Sequence, residues 1–227
     1  AAVNYVLGYS INDQTTRQQV AAANITGTPF SIWAGPVSVA AGVEYRKEES
    51  SAITDAASQA SRFDLGNYKP LDGAYSTREI YGEVVVPLMT GVTLARSLEL
   101  NAAVRETDYS TSGAVTTWKL GLSYEPIADV RIRATQSRDI RAPNISELFT
   151  AGIQGRVQVT NPFTGQGGLQ VDQITSGNLN LTPEKADTFT AGIMYQPSWL
   201  SGFRASLDYY RIEIEDVIGQ FGAQLTV

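Results

Sequence analysis

Apolar and polar residues alternate along much of this chain with a period of two, the pattern of a strand with one apolar and one polar face. Eight such runs are predicted as strands, at about 16–27, 37–49, 78–88, 94–109, 114–125, 129–138, 185–197 and 202–215. The segments between them alternate in length. Short turns are expected at "TPFSIWAGP", "LMTG", "PIAD" and "PSWLSG", and long connections at 50–77 and 139–184, with a tight "STSG" at 110–113. Short connections at one end and long ones at the other describe an antiparallel up-and-down meander with one plain edge and one decorated edge.

The apolar face of each run changes character toward the decorated edge. Val37, Val39, Ala41, Val43 and Tyr45 lead into Lys47 and Glu49; Leu98, Leu100, Ala102 and Val104 lead into Glu106 and Asp108; Phe203, Ala205, Leu207 and Tyr209 lead into Arg211, Glu213 and Glu215. Strands running the other way show the reverse order. Arg78 precedes Ile80, Gly82, Val84, Val86 and Leu88, and Lys185 and Asp187 precede Phe189, Ala191, Ile193 and Tyr195. A sandwich core has no reason to place charge at only one edge. A bilayer has one: only about 9–11 residues of a strand face hydrocarbon, and past that depth the same face meets water. Tyr45, Trp118 and Tyr209 lie near the charged edge, and Trp33, Tyr124, Tyr195 and Trp199 near the plain one, as two interfacial aromatic girdles require. The opposite face carries Glu44, Arg46, Glu99, Asn101, Arg105, Lys119, Arg131, Arg133 and Asp208, which a barrel turns toward its lumen.

Composition narrows the function classes. The 227 residues contain no Cys and no His, which removes disulfides, thiolate metal sites, cysteine nucleophiles and the usual general base. No catalytic constellation, cofactor motif or metal site is apparent, so an enzyme is not expected. Net charge is −6 with no basic patch, so nucleic acid is not an expected partner. No apolar run is long enough for a transmembrane helix. The start, "AAVNYVLGYS", shows no basic leader.

Several stretches resemble the TonB-dependent outer-membrane receptors, in the form abundant in Caulobacter-like proteobacteria: "AGPVSVAAGVEYRKE", "EIYGEVVVPL", "LELNAAVRETDYS", "GFRASLDYYRIEIEDVIG" and, most specifically, "SRDIRAPNISELF" followed by "GNLNLTPEKADTF". The resemblance covers more than half the chain and keeps the family's order. It implies a section, over residues 1–227, of a 22-stranded transmembrane barrel in the outer membrane of a Gram-negative bacterium, with long extracellular loops and short periplasmic turns. It also implies uptake of a scarce ligand (an iron chelate, cobalamin or an oligosaccharide), with outer-membrane lipid, a plug domain and TonB as partners of the intact receptor. The chain is expected to lack the plug, the TonB box and, ending in "QFGAQLTV", the C-terminal aromatic strand. A structural or interaction β domain, or a passive pore, is the other class compatible with the pattern.

Candidate ligand contacts lie in the long connections. In 139–184, rich in amides and hydroxyls suited to hydrogen bonding, they are Asp172, Gln173, Asn178 and Asn180; in 50–77 they are Arg62, Asp64, Asn67 and Tyr68. The stretch "SRDIRAPNISELF" reads as a structural closure. Pro143 lacks an amide hydrogen and ends the strand. Asn144 and Glu147 have capping-box spacing ahead of Leu148 and Phe149. Arg138 and Arg141 are left to face the lumen or to fix the loop base. The run Arg131, Arg133, Arg138 and Arg141 either attracts an anion or pairs with carboxylates of wall or plug.

Overall fold

The computed structural model describes residues 8–225. Residues 1–7 and 226–227, where the sequence reading looked for a leader and a terminal aromatic strand, lie outside them. Among the described residues ten strands form: β1 (Asn12–Ile32), β2 (Gly35–Thr54), β3 (Leu71–Val92), β4 (Ala95–Tyr109), β5 (Gly113–Ile127), β6 (Val130–Arg141), β7 (Ile153–Val159), β8 (Leu169–Thr175), β9 (Glu184–Tyr195) and β10 (Ala205–Glu215). Two short helices, α1 (Ala56–Gln59) and α2 (Ile145–Phe149), lie in the long connections. Eight strands make one antiparallel sheet in the order β1-β2-β3-β4-β5-β6-β9-β10, and β7 and β8 pair as a separate hairpin. The large sheet is the expected meander. β1 and β10 are its two edges and do not pair with each other.

The register makes the alternation of single strands a property of the whole sheet. Ile25, Ala41, Gly82, Val104 and Trp118 stand in cross-strand register, as do Leu100 with Leu122, Leu122 with Ala134, Ile132 with Ile193, and Ile193 with Leu207. One sheet face is therefore apolar from β1 to β10, and it is uncovered: Ile80 is 60% exposed, Val104 52% and Leu207 73%. Among the described residues, the buried apolar side chains are Val37, Ala52, Ala95, Leu148 and Val159, with Pro143, Pro183 and Pro197. No apolar core of the kind that stabilises a water-soluble sheet protein is present among them. The remaining buried side chains are small and polar, with Ser50, Ser58, Asn67, Thr77 and Thr107 nearly inaccessible.

β1, β2, β3 and β5 overrun their predicted limits at both ends, β10 starts later than predicted, and one turn moves while another narrows. "LMTG" lies inside β3, and the chain reverses at Thr93–Leu94; "TPFSI" lies inside β1, and the reversal is at Trp33–Ala34. In both cases the breaker residue sits at a register shift, Pro87/Met89 in one and Gly27/Phe30 in the other. Proline and glycine are accommodated at bulges without ending a strand. At the decorated edge β2 and β3 extend so far that the connection 50–77 shrinks to 55–70. The 20 residues of β2 span about 65 Å at ~3.3 Å per residue, far more than a ~30 Å hydrocarbon layer. The charged ends of the apolar face belong to this excess length.

Candidate functional site

The loops at the decorated edge are folded, and each element in them has a local cause. Asp55 caps α1: its carboxylate accepts from the Ser58 amide at 2.9 Å, the Ser58 hydroxyl at 2.6 Å and the Ile11 amide at 2.9 Å. These bonds, the Ser58 hydroxyl first among them, lower the Asp55 pKa to about 2. Lys69 closes the other end of α1 by donating to the Ser58 and Gln59 carbonyls at 3.1 and 2.6 Å. Asn67 then knots the loop. Its Oδ1 accepts from the Phe63 amide at 3.0 Å and its Nδ2 donates to the Phe63 carbonyl at 2.7 Å.

In the longer loop, β6 ends just before Pro143 and α2 carries the capping box read from the sequence. Asn144 Oδ1 accepts from the Glu147 amide at 2.9 Å, and Glu147 Oε2 accepts from the Asn144 amide at 2.8 Å. Leu148 is buried, and the Phe149 ring lies over Gly73 of β3, where a Cβ would stand 2.3 Å from the ring. The loop thus reaches back across β5 and β4 to the polar face of β3. Arg141 anchors its base with a two-pronged pair to Glu184, both bonds 2.8 Å, and a second contact to Glu147 at 3.0 Å. Beyond α2 the chain forms the β7–β8 hairpin, where the amide-rich composition predicts a long loop. "IQGRVQV" and "LQVDQIT" do alternate, so the signal was present; their amide content masked it.

The structure brings three of the eight predicted ligand contacts together. Arg156 of β7 pairs with Asp64 through two bonds of 2.9 and 3.1 Å and with Asp172 at 3.3 Å. Gln154 donates to Asp172 at 3.1 Å and accepts from Asn67 at 2.8 Å. Asp64, Asn67 and Asp172 are therefore engaged with one another's loops through Arg156 and Gln154, two residues the sequence reading did not single out. The paired carboxylates raise the Arg156 pKa, Asp64 foremost. Asn178 Oδ1 accepts from the Asn180 amide at 2.9 Å and holds a turn, while the Asn178 amide donates to the Glu147 carbonyl at 2.8 Å. Arg62, Tyr68, Gln173 and Asn180 make no side-chain hydrogen bond among the described residues and are the ones left available.

Of the two expectations for the run Arg131, Arg133, Arg138 and Arg141, pairing holds for each: every one has a wall carboxylate. Arg131 pairs with Glu125, Arg133 with Asp208 at 2.7 Å, Arg138 with Asp187 at 2.6 Å and Arg141 with Glu184. The register corrects the position of Arg138. It stands beside Trp118 and Asp187 on the continuation of the apolar face, past its charged limit, and does not face the lumen. The Arg133–Asp208 pair crosses β9 directly over Gly192, where a Cβ would lie 2.1 Å from the carboxylate. On the same polar face Tyr81 covers Gly42, and the Arg105 guanidinium lies 4.8 Å from the Tyr81 ring centroid while bonding Glu79 at 2.6 Å. A shallow groove of roughly 230 Å³ runs beside them, lined by Glu83, Thr117, Lys119 and Asp139.

A family sequence model described as TonB dependent receptor-like, beta-barrel, matches residues 2–226. The chain belongs to this family. The family and the matched structures are transport receptors and not enzymes. Among solved structures, a variant of the ferric enterobactin receptor PfeA from Pseudomonas aeruginosa matches with a TM-score of 0.68 at 19% identity, over 89% of this chain and 27% of that one. The siderophore receptor PirA from Acinetobacter baumannii matches with a TM-score of 0.62 at 18% identity, over 91% and 28%. PirA from Pseudomonas aeruginosa gives 0.64 at 18% identity, over 91% and 33%. At these identities the likeness is one of fold. The chain spans about a third or less of the receptors it matches, and the open sheet is a stretch of such a barrel wall.

Proposed function

We propose that this chain is a lipid-facing section of the barrel wall of an outer-membrane receptor that imports an iron–siderophore complex with energy delivered by TonB. In this reading the wall continues beyond β1 and β10, a plug domain fills the lumen, and the two folded loops stand on the extracellular side. The observation that carries it is the division of the sheet. One face is apolar and uncovered across eight strands in a family of barrel receptors, and the other holds ion pairs that need a wet or protein-filled lumen. The ligand class is taken from the matched siderophore receptors, ahead of cobalamin or an oligosaccharide; the Caulobacter-like form of "SRDIRAPNISELF" supports a proteobacterial source.

The test is uptake of radiolabelled iron presented as defined siderophores, in a strain deleted for the intact receptor and in the same strain complemented. Restored uptake that stops when the proton-motive force is collapsed supports the reading. Uptake unaffected by that collapse would make the protein a passive pore. Restored growth on cobalamin or an oligosaccharide, with none on any iron chelate, would move the ligand class.

A further inference from the structure

Moving from mid-sheet toward the decorated edge, the apolar face meets its first charge at Arg17 on β1, Lys47 on β2, Arg78 on β3 and Glu106 on β4. On β6, β9 and β10 it meets it at Arg138, Asp187 and Arg211. These residues do not share one row of the register. Followed along the ladder to β1, Lys47 falls opposite Gln19, Arg78 opposite Ala21 and Glu106 opposite Ala23. Arg138 and Asp187 fall opposite Ile25, and Arg211 opposite Gly27. The charged limit therefore slides steadily along the strands across the width of the sheet. At ~3.3 Å per residue along a strand and ~4.8 Å between strands, its slope is about 45°, the tilt of strands in a membrane barrel. One flat plane, the border of the hydrocarbon, cuts the strands at these residues.

That plane puts Arg17, Lys47 and Arg78 side by side at one depth on three neighbouring strands. Elsewhere along it the cations are neutralised on the same face: Arg138 pairs with Asp187, and Arg211 with Glu213. On β1–β3 they are not. Arg17 stands opposite Glu49, whose carboxylate bonds Lys47 instead, and Arg78 stands opposite Asp108 without an ion pair. Among the described residues neither arginine makes a side-chain hydrogen bond or an ion pair. Glu106 and Asp108 of β4 end the basic run. We propose that Arg17, Lys47 and Arg78 form a site for the phosphate group of an anionic lipid in the leaflet on the decorated side. The inference rests on the lipid-facing reading of the wall. Cations at the border of the hydrocarbon attract anionic headgroups, and guanidinium groups left without a carboxylate are free to clasp a phosphate in two-pronged bonds.

The test uses the intact receptor in phosphatidylcholine vesicles with a minor share of phosphatidylglycerol, one lipid or the other carrying bromine on its acyl chains. A fluorophore attached through Ala21→Cys or Ala191→Cys is quenched by nearby bromine. The two labels stand at matching depth, one below Arg17 and the other below Asp187. Quenching at Ala21 should show phosphatidylglycerol enriched over its bulk share, by about fivefold for each unpaired cation, with no enrichment at Ala191. Arg17→Gln combined with Arg78→Gln should remove the enrichment and leave quenching by brominated phosphatidylcholine unchanged. Equal enrichment at both labels, or enrichment that survives the double substitution, would overturn the site and leave the wall reading intact. Absence of quenching by either brominated lipid would show that the face does not meet lipid, and would overturn the wall reading together with the site.

Discussion

Gly192 shows how much a single residue decides on this sheet. Its missing side chain lets Arg133 and Asp208 meet over the intervening strand. Gly192→Ala should abolish the coupling between them. In a double-mutant cycle with Arg133→Gln and Asp208→Asn, the pair is worth up to about 1 kcal/mol, since both partners are partly exposed; in the Gly192→Ala background the interaction should vanish. An unchanged coupling energy would contradict the stacking described. Asp55 offers a second test at this scale. Its pKa is depressed to about 2 by the Ser58 hydroxyl and two amides. A depressed carboxylate contributes stability that is present above its ordinary value and lost as pH falls through the folded value. An NMR titration should find its midpoint near 2, rising toward the ordinary aspartate value in Ser58→Ala. An ordinary midpoint in both proteins would remove the cap.

At the scale of elements, the strands were legible because their information is local. Parity alone assigns Leu100 and Val104 to one face and Glu99 and Arg105 to the other, and the register agrees. Their lengths were not legible, because Pro87 and Gly27 look like strand ends and are bulges. The capping box of α2 was readable, since Asn144 and Glu147 are three residues apart. The Arg156–Asp64 pair was not, because it joins residues 92 positions apart and exists only once α2 has carried its loop back to β3. The facing makes a sharp prediction. Leu100→Arg, which puts a charge on the apolar face, should destabilise the folded receptor by roughly 2–4 kcal/mol if it lies near mid-membrane. Thr117→Arg on the polar face should cost clearly less. Equal losses in denaturant unfolding from lipid vesicles would undercut the facing. Gly73→Ala should release α2, because the Phe149 ring must move; a cost of about 1–3 kcal/mol is typical of such overpacking.

At the scale of the molecule, two features belong together. The described residues bury few apolar side chains, and within them the outer sides of β1 and β10 have no partner strand. Alone in water, such a sheet exposes a wide apolar face and two open ladders, which drives association. Expressed by itself, the chain should require detergent or lipid, and a monomeric, cooperatively unfolding species in plain buffer would count against a lipid-facing wall. The most direct measurement is a spin-label scan along β4 in the intact receptor in outer-membrane lipid, comparing collisions with oxygen, which partitions into lipid, and with a water-soluble nickel chelate. Labels at Leu100, Ala102 and Val104 should be accessible to oxygen and shielded from nickel, while labels at Asn101, Ala103 and Arg105 should not show that lipid signature. Loss of the two-residue alternation, or its inversion, would contradict the account.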